Sequence, residues 1–124
     1  YNAGPESMAA ALGVLGNRSG RRIAVLGDML ELGDCAQAEH YKVGRIAAEK
    51  AELVFAYGPN ASRIINGTTT GGMPETKSRA YTEREPLIQD LKRTVKSGDV
   101  ILLKGSQGMH MERILEGFLK EEKE

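Results

Sequence analysis

Apolar positions recur along the chain with two periods, one helical and one extended. Met8, Leu12 and Leu15 share a helical face behind Pro5. Proline suits a first helical position because its missing N–H has no helical partner there, and Gly16-Asn17 closes the segment. Ile23 to Leu26 is a continuous apolar run between Arg22 and Gly27, too short for a helix, and reads as a strand buried on both faces. Ala36, His40, Val43 and Ala47 fall on one face of a second helix, and Leu53 to Tyr57 forms another short strand stopped by Gly58-Pro59. A brief helix is expected over Ala61 to Ile65, followed by a Gly/Thr-rich loop from Asn66 to Lys77 whose apolar content cannot sustain packing. Arg79 to Tyr81 reads as a short strand. Thr82 and Glu85 have the spacing of a capping box, opening a helix with Leu87, Leu91 and Val95 that Gly98-Asp99 ends. Val100 to Leu103 is a third strand, and Lys104 to Gly108 turns into a last helix with Met111, Ile114, Leu115 and Phe118 facing inward. The terminal KEEKE is a solvated tail.

Strands alternating with helices predict an α/β fold, a Rossmann-like three-layer α/β/α sandwich with a mainly parallel sheet, because parallel neighbours need crossover connections that pack helices on both faces. In such sheets ligands bind beyond the carboxyl ends of the strands. That rule brings three loops together: Gly27 to Gly33, Gly58 to Asn60, and Lys104 to Gly108.

Length and charge narrow the functional classes. The 124 residues suit a single domain with one core, and 17 basic residues balance 17 acidic ones, so no overall field draws the chain to nucleic acid or an anionic membrane. Cys35 is the sole cysteine, which excludes an intramolecular disulfide and suits a reducing, cytoplasmic compartment. No apolar run approaches the ~20 residues that span a bilayer. The chain opens without Met, directly into a turn and helix, as a fragment of a longer protein would.

The sequence contains no G-x-x-x-x-G-K-[ST], no G-x-G-x-x-G after the first strand, no G-x-S-x-G and no Cys/His cluster at metal spacing. ATP hydrolysis by this chain alone is not expected. What stands at the strand ends is an acidic loop with Asp28 and Glu31, opposed by Lys104 and Ser106. Carboxylates repel phosphate but attract an ammonium group, while Lys104 and helix N-terminal N–H groups suit a carboxylate, so a zwitterion fits. The residues alone leave a second reading open, in which Asp28 or Glu31 caps the next helix and Lys104 pairs with one of them across the sheet edge. His40, on the apolar stripe, faces either the core, as a hydrogen-bonded packing residue, or the loop mouth. Cys35 sits beside Asp34, which disfavours a thiolate, and receives no role. Met109 and Met111 read as packing at a helix start.

Tyr1-Asn-Ala-Gly-Pro-Glu-Ser-Met8, Gly27-Asp-Met-Leu-Glu-Leu-Gly33, Glu39-His40 and Lys104-Gly-Ser-Gln-Gly-Met-His-Met-Glu112 together resemble the C-terminal domain of bacterial Mur ligases, nearly end to end. Within that family the resemblance is to the members that add D-alanyl-D-alanine to UDP-N-acetylmuramoyl-tripeptide in peptidoglycan synthesis. It implies a three-domain enzyme with a UDP-sugar domain, a central ATPase domain holding most of the ATP and Mg contacts, and this module for the incoming amino substrate. An acyl phosphate forms on the tripeptide and the amine of D-alanyl-D-alanine attacks it. The module contributes closure and proximity rather than acid–base groups, so no catalytic residue is expected in it.

Matched residue by residue, the resemblance places Tyr1, Asn2 and Pro5 near the nucleotide. Asp28, Glu31, Lys104, Gly105, Ser106 and His40 fall around the substrate pocket. Three positions depart from the family pattern: Gly4 stands where Asn is common, and Gln107 and His110 where arginines are. Two other classes compete with this one. A stand-alone binding module for a small zwitterion would lack a preceding ATPase domain. A receiver-like signalling domain would need a phosphoacceptor Asp ending a middle strand, where this chain has Tyr57-Gly58-Pro59.

Overall fold

The computed structural model describes residues 3–121. Five helices, α1 (Pro5–Gly16), α2 (Ala36–Lys50), α3 (Ala61–Thr70), α4 (Arg84–Thr94) and α5 (Met111–Leu119), alternate with four strands, β1 (Arg22–Gly27), β2 (Leu53–Tyr57), β3 (Ser78–Tyr81) and β4 (Val100–Lys104). The strands form one sheet in the order β3-β2-β1-β4, and every pairing is parallel. Ile23 lies opposite both Leu53 and Ile101, so β1 is flanked on both edges. This is the expected three-layer α/β sandwich.

Side-chain alternation divides the interior into two halves. Ala24 and Leu26 of β1 pack with Met8, Leu12, Val43, Ala47 and Ile64, which puts α1, α2 and α3 on one face. Ile23 and Val25 pack with Leu87, Leu91, Met111 and Ile114, which puts α4 and α5 on the other. The loop after β1 therefore leads to one face and the loop after β4 to the opposite face. A crevice opens between them at the carboxyl end of the sheet.

Several local expectations are corrected. The segment from Asn66 is not a loop: α3 continues to Thr70, and both Gly67 and Thr68 are buried. The reason is a close helix crossing. A Cβ on Gly44 would lie 1.9 Å from the Ile64 carbonyl oxygen, and one on Gly67 2.1 Å from that of Tyr41, so α2 and α3 touch backbone to backbone. Thr68 Oγ1 donates to the Ile65 carbonyl at 2.9 Å and meets Ser78 Oγ at the same distance, satisfying a hydroxyl with no solvent exposure.

The capping box at Thr82 and Glu85 does not form. The helix starts one residue later with Glu83 as N-cap and no side-chain cap bond, and Glu85 accepts from Gln89 Nε2 at 3.1 Å instead. Pro86 already removes one first-turn N–H that a cap would have to satisfy. Helix α4 ends at Thr94, before Val95. Strand β4 lies at the sheet edge, with Ile101 37% exposed, and Leu115, expected to face inward, faces outward at 46%. Among the described residues no helix is long and apolar enough to cross a membrane.

Candidate functional site

The three gathered loops do meet at the carboxyl end of the sheet, and hydrogen bonds tie them into one knot. Asp28 is 2% exposed, and both carboxylate oxygens are occupied: Oδ1 accepts the Asn60 backbone N–H and Oδ2 the Asn60 side-chain amide, each at 2.9 Å. Its carbonyl accepts from the Ser106 N–H at 2.9 Å, so one residue joins the loops after β1, β2 and β4. Ser106 is fully buried. Its hydroxyl accepts the Leu30 N–H at 2.8 Å and donates to the Ala3 carbonyl at 3.2 Å. Gly105 allows the approach, since a Cβ there would meet Gly27 Cα at 2.9 Å.

His40 belongs to this knot and not to the loop mouth. The ring has no solvent exposure, Nδ1 lies 2.6 Å from the Ala36 carbonyl, and Nε2 accepts the Met29 N–H at 2.9 Å. A carbonyl can only accept and an amide only donate, which assigns the proton to Nδ1 and leaves the ring neutral. Asp28 Oδ2 stands 3.9 Å from Nε2. Asp28, His40 and Ser106, all expected around the substrate pocket, are thus buried and hydrogen-bonded behind the three loops. Sequence reasoning missed Asn60, although it lies in a gathered loop, because nothing in Gly58-Pro59-Asn60 signals that the amide turns back onto Asp28.

Glu31 is placed differently. It is exposed, with φ +65°, a left-handed backbone that L side chains adopt rarely. It borders two concavities. One, of about 720 Å³, is lined by the start of α1 (Gly4, Pro5, Glu6, Ser7) and by Leu32, Cys35 and Glu39, so three carboxylates surround it. The other, of about 450 Å³, is the crevice between the diverging loops, lined by Leu30, Gln107, Gly108 and His110. His110 is the second described non-glycine residue with positive φ, at +52°. Beside it, the Glu112 carboxyl is held below its ordinary range by its own backbone N–H at the start of α5 and then by the His110 ring at 3.2 Å.

Lys104 ends β4, half-buried, on the same face as Leu102 and so toward α1. Pro5 opens α1 at the acidic cleft, while Tyr1 and Asn2 lie outside the described residues. Gly4 is the N-cap, its N–H donating to Ser7 Oγ at 3.1 Å. Nothing lies within 4 Å of where a Gly4 Cβ would point, so packing does not demand glycine there. Among the described residues no three His, Cys, Asp or Glu side chains converge as metal ligands would.

The family model for "Mur ligase, glutamate ligase domain" matches residues 1–107. A Bacillus subtilis UDP-N-acetylmuramoyl-tripeptide–D-alanyl-D-alanine ligase is 37% identical over 97% of this chain and 27% of its own length. The Escherichia coli ligase of the same name is 36% identical over 93% of this chain and 25% of its own. A crystal structure of MurF from Acinetobacter baumannii superposes with a TM-score of 0.86 at 32% identity, covering 98% of this chain and 27% of that one. MurF from Thermotoga maritima in complex with ADP superposes at 0.78 with 30% identity, covering 95% and 26%. The chain thus spans about a quarter of the length of the relatives it matches. These matches leave no room for a receiver domain. The chain belongs to the Mur ligase family, as its glutamate ligase domain.

Proposed function

We propose that this chain is the C-terminal domain of a bacterial, cytoplasmic ligase that adds D-alanyl-D-alanine to UDP-N-acetylmuramoyl-tripeptide, and that Glu31 receives the dipeptide's ammonium group. The observation that carries this reading is Glu31 itself, an exposed carboxylate on a left-handed backbone at the mouth of an acidic cleft, in a chain whose relatives bear that ligase's name. Neighbouring Glu6 and Glu39 favour a cation over a phosphate in this cleft. Lys104, with Gly105 shaping its loop, is the candidate partner for the dipeptide carboxylate.

The full enzyme on this reading has UDP-sugar and ATPase domains outside this chain, which hold most of the contacts to UDP-N-acetylmuramoyl-tripeptide, ATP and Mg. ATP supplies the acyl phosphate. Tyr1, Asn2 and Pro5 border the nucleotide, to which Pro5 has no N–H to donate. This domain brings the amine to the activated carboxyl and excludes water by closing over it.

Glu31→Gln in the full-length ligase tests the assignment, because it removes the charge and keeps the shape. Losing one partner of a desolvated charge contact costs roughly 2–5 kcal/mol, so the KM for D-alanyl-D-alanine should rise at least tenfold while the KM for ATP stays put. Unchanged dipeptide kinetics would sink the assignment.

A further inference from the structure

Three consecutive amides before Glu31 are each held by a different element. The N–H groups of Asp28, Met29 and Leu30 donate to the Tyr57 carbonyl at 3.1 Å, His40 Nε2 at 2.9 Å and Ser106 Oγ at 2.8 Å. None is satisfied within its own loop, so the direction in which residue 31 leaves is set from outside. Of the three acceptors, the carbonyl and the hydroxyl are common. The imidazole is not, because it accepts only with its other nitrogen protonated, and the Ala36 carbonyl at 2.6 Å from Nδ1 supplies that condition. Leucine would fill a fully buried helical position with better helix propensity. Burial alone does not account for histidine here; the bond to Met29 does.

We infer that His40 is a positioning residue for the amino substrate: by accepting the Met29 N–H it fixes the loop so that Glu31 emerges, left-handed, into the acidic cleft. The inference rests on Glu31 as the ammonium partner and goes beyond it by naming a residue that touches no substrate and still sets its affinity.

Two variants of the full-length ligase separate the ring's two bonds. In His40→Asn the shorter amide keeps a donor for the Ala36 carbonyl but falls short of Met29. In His40→Gln the longer side chain presents Oε1 to the Met29 N–H. Steady-state kinetics should show the D-alanyl-D-alanine KM raised about tenfold in His40→Asn, a loss of about 1.4 kcal/mol, and near the parent value in His40→Gln, with the ATP KM unchanged in both. Equal effects in the two variants, a larger effect in Gln, a matching rise in the ATP KM, or loss of folding in both would overturn the inference and assign the ring to packing. Glu31→Gln measured alongside separates the two claims. If it leaves the dipeptide KM unchanged, the ammonium assignment falls and this inference with it; if it raises the KM while His40→Asn does not, this inference falls alone.

Discussion

Gly44→Ala should destabilise the domain although alanine is the better helix former. The added Cβ would lie 1.9 Å from the Ile64 carbonyl oxygen, whereas real Cβ contacts essentially never fall under 3.0 Å. The acceptor is backbone and cannot rotate away, so α2 and α3 must part by about 1.1 Å. A gap of about 0.5–1 Å already forfeits a quarter to a half of each van der Waals contact along the seam. Overpacking of this kind costs about 1–3 kcal/mol. Against it stands the roughly 1 kcal/mol that alanine gains over glycine inside a helix. Because the clash involves main chain on both sides, we place the gross cost at the top of the range and the net loss at about 2 kcal/mol. Gly13→Ala in α1 is the matched control: nothing lies within 4 Å of its Cβ position, so only the propensity gain of about 0.5–1 kcal/mol remains. Urea unfolding followed by circular dichroism reads both, as a lower midpoint for Gly44→Ala and a higher one for Gly13→Ala at constant slope. The unfolded-chain entropy change is shared by the two substitutions, so their difference isolates the seam. Equal midpoints would refute the reasoning.

Two further outcomes follow from bonds at opposite ends of the sheet. Asn60→Ala removes the amide donor to Asp28 Oδ2, and a hydrogen bond to a buried charge is worth about 1.5–3 kcal/mol; an unchanged urea midpoint would show that the carboxylate does not depend on it. At the amino end, Arg21 hydrogen-bonds both carboxylate oxygens of Asp99, at 3.1 and 2.7 Å, and this, followed by the Lys96 N–H, holds the Asp99 carboxyl below its ordinary range. A lowered folded value means stability that is present above the unfolded value of about 3.9 and lost as pH falls through the folded one. The midpoint gap between the parent and Asp99→Asn should therefore be widest near neutrality and close in acid; a constant gap from neutral to strongly acidic pH would contradict the pairing.

The sheet was legible because a short apolar run bounded by Gly, Pro and charge is too brief for a helix and too apolar for a solvated loop. Leu53 to Tyr57 matches β2 to the residue, and the other three strands fall within one residue at either end. Helix α3 was not legible past Ile65. Beyond that point its buried residues are Gly67 and Thr68, which register as a loop when hydrophobicity is the signal, and Gly67 meets the backbone of another helix rather than an apolar side chain. The capping box failed for a related reason: Thr82 and Glu85 carry the right chemistry, but the chain enters α4 one residue later than that chemistry requires. Both errors come from interactions that composition does not encode.

The acidic loop shows the same limit at the site, and there it bears on function. Asp28 and Glu31 are three residues apart with the same charge, and sequence offers no reason to separate them. The structure turns one inward and the other outward. Asp28 is buried and bonded on both oxygens by Asn60. Glu31 is exposed with φ +65°. A left-handed backbone at a residue other than glycine costs about 1–2 kcal/mol, and it persists only where surrounding bonds over-determine it. Here those bonds are the three amide contacts of residues 28–30, accepted by Tyr57, His40 and Ser106. On the opposite wall of the crevice His110, also left-handed, is reached through a turn that begins at Ser106, whose carbonyl accepts the Met109 N–H at 2.9 Å. One buried serine thus stands behind both strained residues. The buried members of the motif thus hold two exposed side chains, Glu31 and His110, facing one crevice.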